Sequence, residues 1–95
     1  MYKITKKQYN LANNLGIKIF PSEKKNYKID IYDENGIYHT SIGDKRYNDY
    51  FIYLSNNKQI AEEHKRRYLL RHAKELYSIG SRGWFSAILL WNYKP

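Results

Sequence analysis

Apolar positions along the chain follow two different periods, and the change between them divides the sequence. In "ITKKQYNLANNLG", Thr5 stands where a helix N-cap would, Tyr9, Leu11, Ala12 and Leu15 fall at helical spacing, and Gly16 supplies a stop. A short helix is predicted there. "IKIF", ended by Pro21, reads as a short strand or extended connector. In "SEKKNYKIDIYDENGIYHTSIGD" the period falls to two, with Tyr27, Ile29 and Ile31 alternating with Lys28, Asp30 and Tyr32 before "DENG" turns and Ile37 to Ile42 returns. That is a β-hairpin. Asp33 and Gly36 suit a type I turn followed by a glycine in the left-handed region.

After Gly43 the helical period returns. Tyr50, Phe51, Tyr53 and Leu54 form one short amphipathic segment with Asn48 or Asp49 as its cap, and Asn56 and Asn57 break it. A long helix is predicted from about Lys58 to Tyr77, ended by Gly80, and Ser81 caps a last helix over "RGWFSAILLW". The expected fold is α+β: a short N-terminal helix, a β-hairpin extended to a three-stranded sheet if "IKIF" pairs, and a C-terminal bundle of about three helices. Length places residues 1–95 in one domain.

At about 100° per residue, Ala61, Tyr68, Leu69, His72 and Leu76 of the long helix share a core-facing arc, which also contains Lys65. Arg67, Arg71 and Lys74 fall on a separate face, and Arg66 points away from them. Such a ridge suits a phosphate backbone. The competing expectation is an ordinary solvated face, because Glu62 with Arg66, Glu63 with Arg67 and Arg71 with Glu75 are all i, i+4 pairs. His64, Tyr68 and His72 recur every four residues without an acidic partner on the same face, so packing is expected of them rather than metal ligation.

Charge changes the picture. The net +8 is distributed as +6 over residues 1–28, −4 over 29–63 and +6 over 64–95, a field that attracts anionic macromolecules without any specific site. Ile, Asn, Lys and Tyr number 11, 9, 12 and 11, a bias that A/T-rich coding produces unaided, so the arginines are the better evidence of selection for an anionic partner. Arg66, Arg67, Arg71 and Lys74 are the principal candidate nucleic-acid contacts, joined by Arg82 at a helix start and by Lys45 and Arg46 at the hairpin exit. "GSRGW" offers backbone N–H groups and Arg82 as an anion site. The final helix is apolar around nearly its whole circumference, which makes Trp84, Phe85, Ile88 and Trp91 either core or a candidate oligomer interface.

Catalytic chemistry is thinly represented. Without cysteine there are no disulfides, zinc-thiolate sites or thiol nucleophiles. Asp30, Asp33, Glu34, Asp44 and Asp49 sit where turns account for them, and no serine elbow, glycine-rich phosphate loop or metal-spaced set of ligands occurs. Gly36-Ile37-Tyr38 and Ser41-Ile42-Gly43 lie too close together to be the paired strands of a GIY-YIG nuclease. No enzyme activity, cofactor, metal or small-molecule substrate is expected. Neither an apolar leader nor an apolar run long enough for a bilayer is present, so a soluble, unsecreted protein is expected.

One resemblance covers residues 27–91. "YDENG", Ser41-Ile42-Gly43, Tyr47, Asp49-Tyr50, Tyr53, Ala61, Arg66-Arg67-Tyr68, Arg71-His72, Gly80-Ser81, Gly83, Ala87 and Leu89-Leu90-Trp91 together resemble a family of small uncharacterised proteins from large DNA viruses of the mimivirus and algal-virus kind. Arg46 stands where that family usually has a small residue, "AKELYSIG" is less basic than its usual counterpart, and residues 1–25 lie outside the likeness as an extension. The resemblance implies a viral origin, with the virion or the viral factory of the host cytoplasm as location, and no reaction. The expected function is nucleic-acid binding through phosphates without sequence specificity, DNA favoured over RNA, in genome packaging or condensation. The alternative is a virion assembly module that binds itself as a homodimer or a capsid protein.

Overall fold

In the computed structural model, which describes every residue from Met1 to Pro95, the elements run α1 (Lys6–Asn14), β1 (Lys18–Pro21), β2 (Tyr27–Tyr32), β3 (Tyr38–Asp44), α2 (Tyr50–Leu54), α3 (Lys58–Arg71), a 3-10 helix (Ala73–Tyr77) and α4 (Arg82–Trp91). The architecture is α+β. The chain divides into two compact units, Met1–Arg46 and Tyr47–Pro95, so the division falls inside the 27–91 stretch.

In the first unit, Thr5 and Gln8 form a reciprocal capping box: Gln8 N donates to Thr5 Oγ1 (3.2 Å) and Thr5 N donates to Gln8 Oε1 (2.8 Å). Gln8 Nε2 donates to Tyr2 Oη (3.0 Å), which satisfies the rest of the amide and lets it be buried. The buried stripe is therefore Ile4, Gln8 and Ala12, one residue round from the predicted face, and Tyr9 is exposed. Gly16, at φ +73°, ends the helix as expected.

The three strands form one antiparallel sheet in the order β1-β2-β3. Ile19, Ile29, Ile31 and Ile42 are buried, and the register pairs Ile19 with Ile31 and Ile29 with Ile42, so all four share one face. The turn is built as its residues predict: Asp33 N donates to Ile37 O (2.9 Å), Gly36 N donates to Asp33 O (3.0 Å), Gly36 takes φ +82°, and Asp33 Oδ1 accepts from the Asn35 and Ile37 amides. One departure follows. Ile31 pairs with Thr40 but Tyr32 pairs with Tyr38, so His39 is the extra residue of a β-bulge. Without it, strict alternation from Thr40 would send Tyr38 to the isoleucine face; with it, Tyr38 joins Tyr32 on the opposite one.

In the second unit every α-helix start carries the cap its sequence offers. Asp49 Oδ1 accepts from Ile52 N (3.1 Å), Asn57 Oδ1 from Ile60 N (3.1 Å), and Ser81 Oγ from Trp84 N (3.2 Å). α4 holds Trp84, Phe85, Ala87, Ile88, Leu89, Leu90 and Trp91, all buried, and ends at Asn92 in the left-handed conformation. Burial of each large side chain contributes about 1.5–3 kcal/mol. Lys65, in the core-facing arc of α3, donates from Nζ to Asn92 O (2.8 Å) and so places a cation on the carbonyl end of α4.

α3 is shorter than predicted. It stops at Arg71, His72 leaves helical geometry at φ −111° and ψ 27°, and residues 73–77 close i to i+3 bonds from Glu75 N to His72 O (3.0 Å) and from Ser78 N to Glu75 O (3.2 Å). Leu76 still turns to a half-buried position, which is why apolar periodicity does not mark the break. The tighter turn brings Glu75 Oε2 to 3.2 Å from His72 Nδ1 and lays the Glu75 side chain against Gly83. Lys65→Met should lower unfolding free energy by about 1.5–3 kcal/mol, the usual worth of a hydrogen bond to a charged group, as read from urea denaturation; an unchanged midpoint would show that the Asn92 carbonyl is equally well satisfied by water.

Candidate functional site

The predicted cations are distributed over several elements. Arg66, Arg67 and Arg71 lie on α3, Lys74 lies in the 3-10 helix beyond its end, and Arg82 opens α4; all five are exposed. Lys45 and Arg46 are also exposed and belong to the other compact unit. The ridge read as Arg67, Arg71 and Lys74 thus keeps its first two members on one α-helical face, about 6 Å apart along the axis, while the third follows from a tighter turn.

Whether those cations are available depends on where the neighbouring carboxylates go. Three i, i+4 pairs were open to α3 and its extension, and one forms: Arg67 Nη2 donates to Glu63 Oε1 at 2.7 Å. Glu62 turns instead to Tyr50, whose hydroxyl donates to Glu62 Oε2. Glu75 turns to His72 and Gly83. Both of these carboxylates are committed elsewhere in the helical unit, so Arg66 and Arg71 project without the partners that spacing alone assigned them. The surviving pair is weak, since Arg67 and Glu63 are each about half exposed (52% and 54%), and a solvated pair of that kind contributes at most about 1 kcal/mol.

Arg46 differs. Its guanidinium holds Asp44 through Nε (3.1 and 3.2 Å) and Nη2 (2.7 Å), and its backbone N–H donates to Asp44 Oδ1 (2.9 Å). These bonds from Arg46 bring the Asp44 carboxyl down to about 2. Arg46 is therefore engaged in a forked local pair, which weakens its place among the nucleic-acid contacts.

The start of α4 also departs from expectation. The side chain of Glu75 lies against Gly83 in the first helical turn, where a Cβ would collide with it, and Ser81 already caps the Trp84 amide. The position read as an anion site in "GSRGW" thus has the protein's own carboxylate beside it, favourably placed near the positive end of a helix dipole. Trp84, Phe85, Ile88 and Trp91 are likewise buried, so the candidate interface offers no exposed surface; its continuous apolar circumference is that of a core helix.

His64 and His72 take part in a ladder of rings. His64 stacks on Tyr53 at 4.0 Å with an interplanar angle of 2°, Tyr53 lies 6.4 Å from Trp91, Trp91 stacks on Tyr68 at 4.5 Å, and Tyr68 stacks on His72 at 4.2 Å. The acidic partner that helical spacing failed to find for His72 is Glu75, brought round by the 3-10 turn. Burial, with the nearby Glu75 charge adding to it and Arg71 opposing, raises the Tyr68 hydroxyl from 10.0 to about 12.

On the opposite sheet face from the isoleucines, Lys24, Asp30, Tyr38 and Ser41 form a polar cluster that sequence reading missed. Ser41 Oγ donates to Asp30 Oδ1 (2.6 Å) and lies 2.7 Å from Tyr38 Oη, while Lys24 Nζ reaches both Tyr38 Oη (2.5 Å) and Ser41 Oγ (3.2 Å). The hydrogen bond between them raises Lys24 and lowers Tyr38. Asp30 and Ser41 meet as a direct cross-strand pair, the bulge at His39 is what brings Tyr38 to them, and nothing in the alternating pattern announces it.

The chain matches no known family profile, no curated protein and no solved structure. No helix is long and apolar enough to cross a membrane. The raised Tyr68 fixes the sign of one pH effect. The folded protein keeps this proton above the pH at which an unfolded tyrosine releases it, so the associated stability is complete below pH 10 and is lost as pH rises toward 12. Unfolding measured across that window should decline less steeply for Tyr68→Phe than for the unaltered chain; identical slopes would place Tyr68 in water.

Proposed function

We propose that the protein binds nucleic acid through its phosphates, without sequence specificity, using the outward cations of the helical unit. Arg67 and Arg71 are the principal contacts, followed along the chain by Lys74, with Arg66 on an adjoining face and Arg82 as peripheral contributors. The observation that carries the reading is the diversion of Glu62 and Glu75 to Tyr50 and His72, since a face meant only to be solvated gains nothing from losing its intrahelical partners. Each compact unit carries a net charge of +4, from nine basic and five acidic residues in 1–46 and eight basic and four acidic in 47–95. The positive field is therefore not confined to one end of the chain.

Arginine rather than lysine dominates the ridge, and a guanidinium offers a planar fork that matches a phosphate. Contacts of this kind release condensed counterions and carry no base information. For a chain resembling proteins of large DNA viruses, binding of this type fits genome packaging or condensation, with duplex DNA as the abundant partner. The assembly alternative keeps the hairpin edge as its candidate surface, because the other surface it drew on, in α4, is buried.

Replacing Arg67 and Arg71 by alanine should reduce the slope of log K against log salt by about 2 on duplex DNA, and replacing both by glutamate should abolish retention at low salt. Fluorescence polarisation against a labelled duplex at two or more salt concentrations provides the measurement, and retention that survives charge reversal removes this reading of α3.

A further inference from the structure

A second surface, in the other unit, has a different chemistry. Outside the isoleucine face, the sheet carries Phe20 on β1, Tyr32 on β2 and Tyr38 on β3, with ring centroids 5.5 Å apart from Phe20 to Tyr32 and 5.6 Å apart from Tyr32 to Tyr38. Both contacts are edge-to-face, at 85° and 75°, so each ring is braced by its neighbour. Phe20 is 50% exposed and Tyr38 43% exposed. Three large aromatics side by side on three strands are not core, and they are costly to leave in water unless something covers them.

The arrangement is built rather than incidental. Phe20 lies diagonally across from Tyr32, whose direct β1 partner is Lys18, and Tyr38 reaches this face only because of the bulge at His39. Lys24 fixes the outer end of the row: its ammonium is 2.5 Å from Tyr38 Oη and 4.0 Å from the ring centre, nearer the hydroxyl edge than the middle of the ring. The carboxylate on the same face, Asp30, is held by Ser41 Oγ at 2.6 Å. What remains toward solvent is a row of rings with Lys18 in register at Tyr32 and Lys24 at Tyr38.

We infer that this face is a stacking platform for single-stranded nucleic acid, in which unpaired bases lie on Phe20 and Tyr38 while Lys18 and Lys24 meet the flanking phosphates. Exposed rings interleaved with cations match a strand that presents a π-face and a negative charge at every nucleotide. Duplex DNA, whose bases are already stacked, cannot use the rings. The inference extends the phosphate-binding reading to a partner class, and it rests on residues that α3 does not contain.

The test uses the full chain and two labelled single strands of equal length, oligothymidylate and its abasic counterpart, which keep the same phosphates and differ in the bases. The unaltered protein should bind oligothymidylate roughly 5- to 100-fold more tightly than the abasic strand. Phe20→Ala should erase most of that preference with abasic affinity unchanged, and Phe20→Trp should keep it; circular dichroism checks that both variants fold. Equal binding of the two strands by the unaltered protein overturns the platform and leaves phosphate binding standing. A preference that persists when Arg67 and Arg71 are reversed to glutamate supports the platform independently of α3, whose own part is read from the absolute affinity for the abasic strand. Binding of neither strand overturns the platform, and the duplex titration then decides separately whether phosphates are bound at all.

Discussion

Taking α4 out of water is the constraint on which the helical unit depends. Beyond Arg82 at its start and Ser86, its ten residues present no polar side chain, and the two ends of its backbone must still be satisfied. Lys65 supplies a cation at the Asn92 carbonyl, and Glu75 supplies a carboxylate beside Gly83 at the start. Each charge complements the adjoining end of the helix dipole. Both come from the stretch that leads into α4, so the sequence of α3 and its 3-10 extension is shaped by the helix it supports as much as by any partner.

The exposed charge pattern follows from that arrangement. Glu75 reaches α4 and His72 only because the chain tightens after Arg71, and Glu62 satisfies the hydroxyl of Tyr50, which lies buried against Phe51. Burial, then Glu62, raises the proton affinity of that hydroxyl. Carboxylates used inside the unit are unavailable outside it. The result is a helix whose acidic residues mostly serve packing and whose arginines mostly do not, a division that composition alone would not reveal.

Much of the fold was legible because caps and turns are local. Thr5, Asp49, Asn57 and Ser81 start helices by hydrogen bonds to residues three places on, and Asp33 with Gly36 closes the hairpin in the same way. Signals that depend on distant groups were not legible. Gln8 is buried in place of Tyr9 because Tyr2 completes its hydrogen bonding, and Lys28, on the nominally polar side of β2, is buried with its ammonium 5.4 Å from the Tyr2 ring. The cationic residues of α3 could be placed on a face from spacing, but their freedom could not, since it depends on where Glu62 and Glu75 point. The bulge at His39 was invisible for a related reason: a period-two pattern conceals a single inserted residue, and the aromatic row it creates joins positions far apart in the chain.

Both tryptophans, Trp84 and Trp91, stand on α4, and the sheet-containing unit has none. Trp91 is stacked on Tyr68 and Trp84 contacts Phe85 at 5.2 Å. Indole emission is therefore an internal gauge of one half of the molecule, blind to the other, whose own optical signature is its β-structure, since tyrosines stand in both halves. Following the two signals through the same denaturant series distinguishes one cooperative melting event from two, with no label attached.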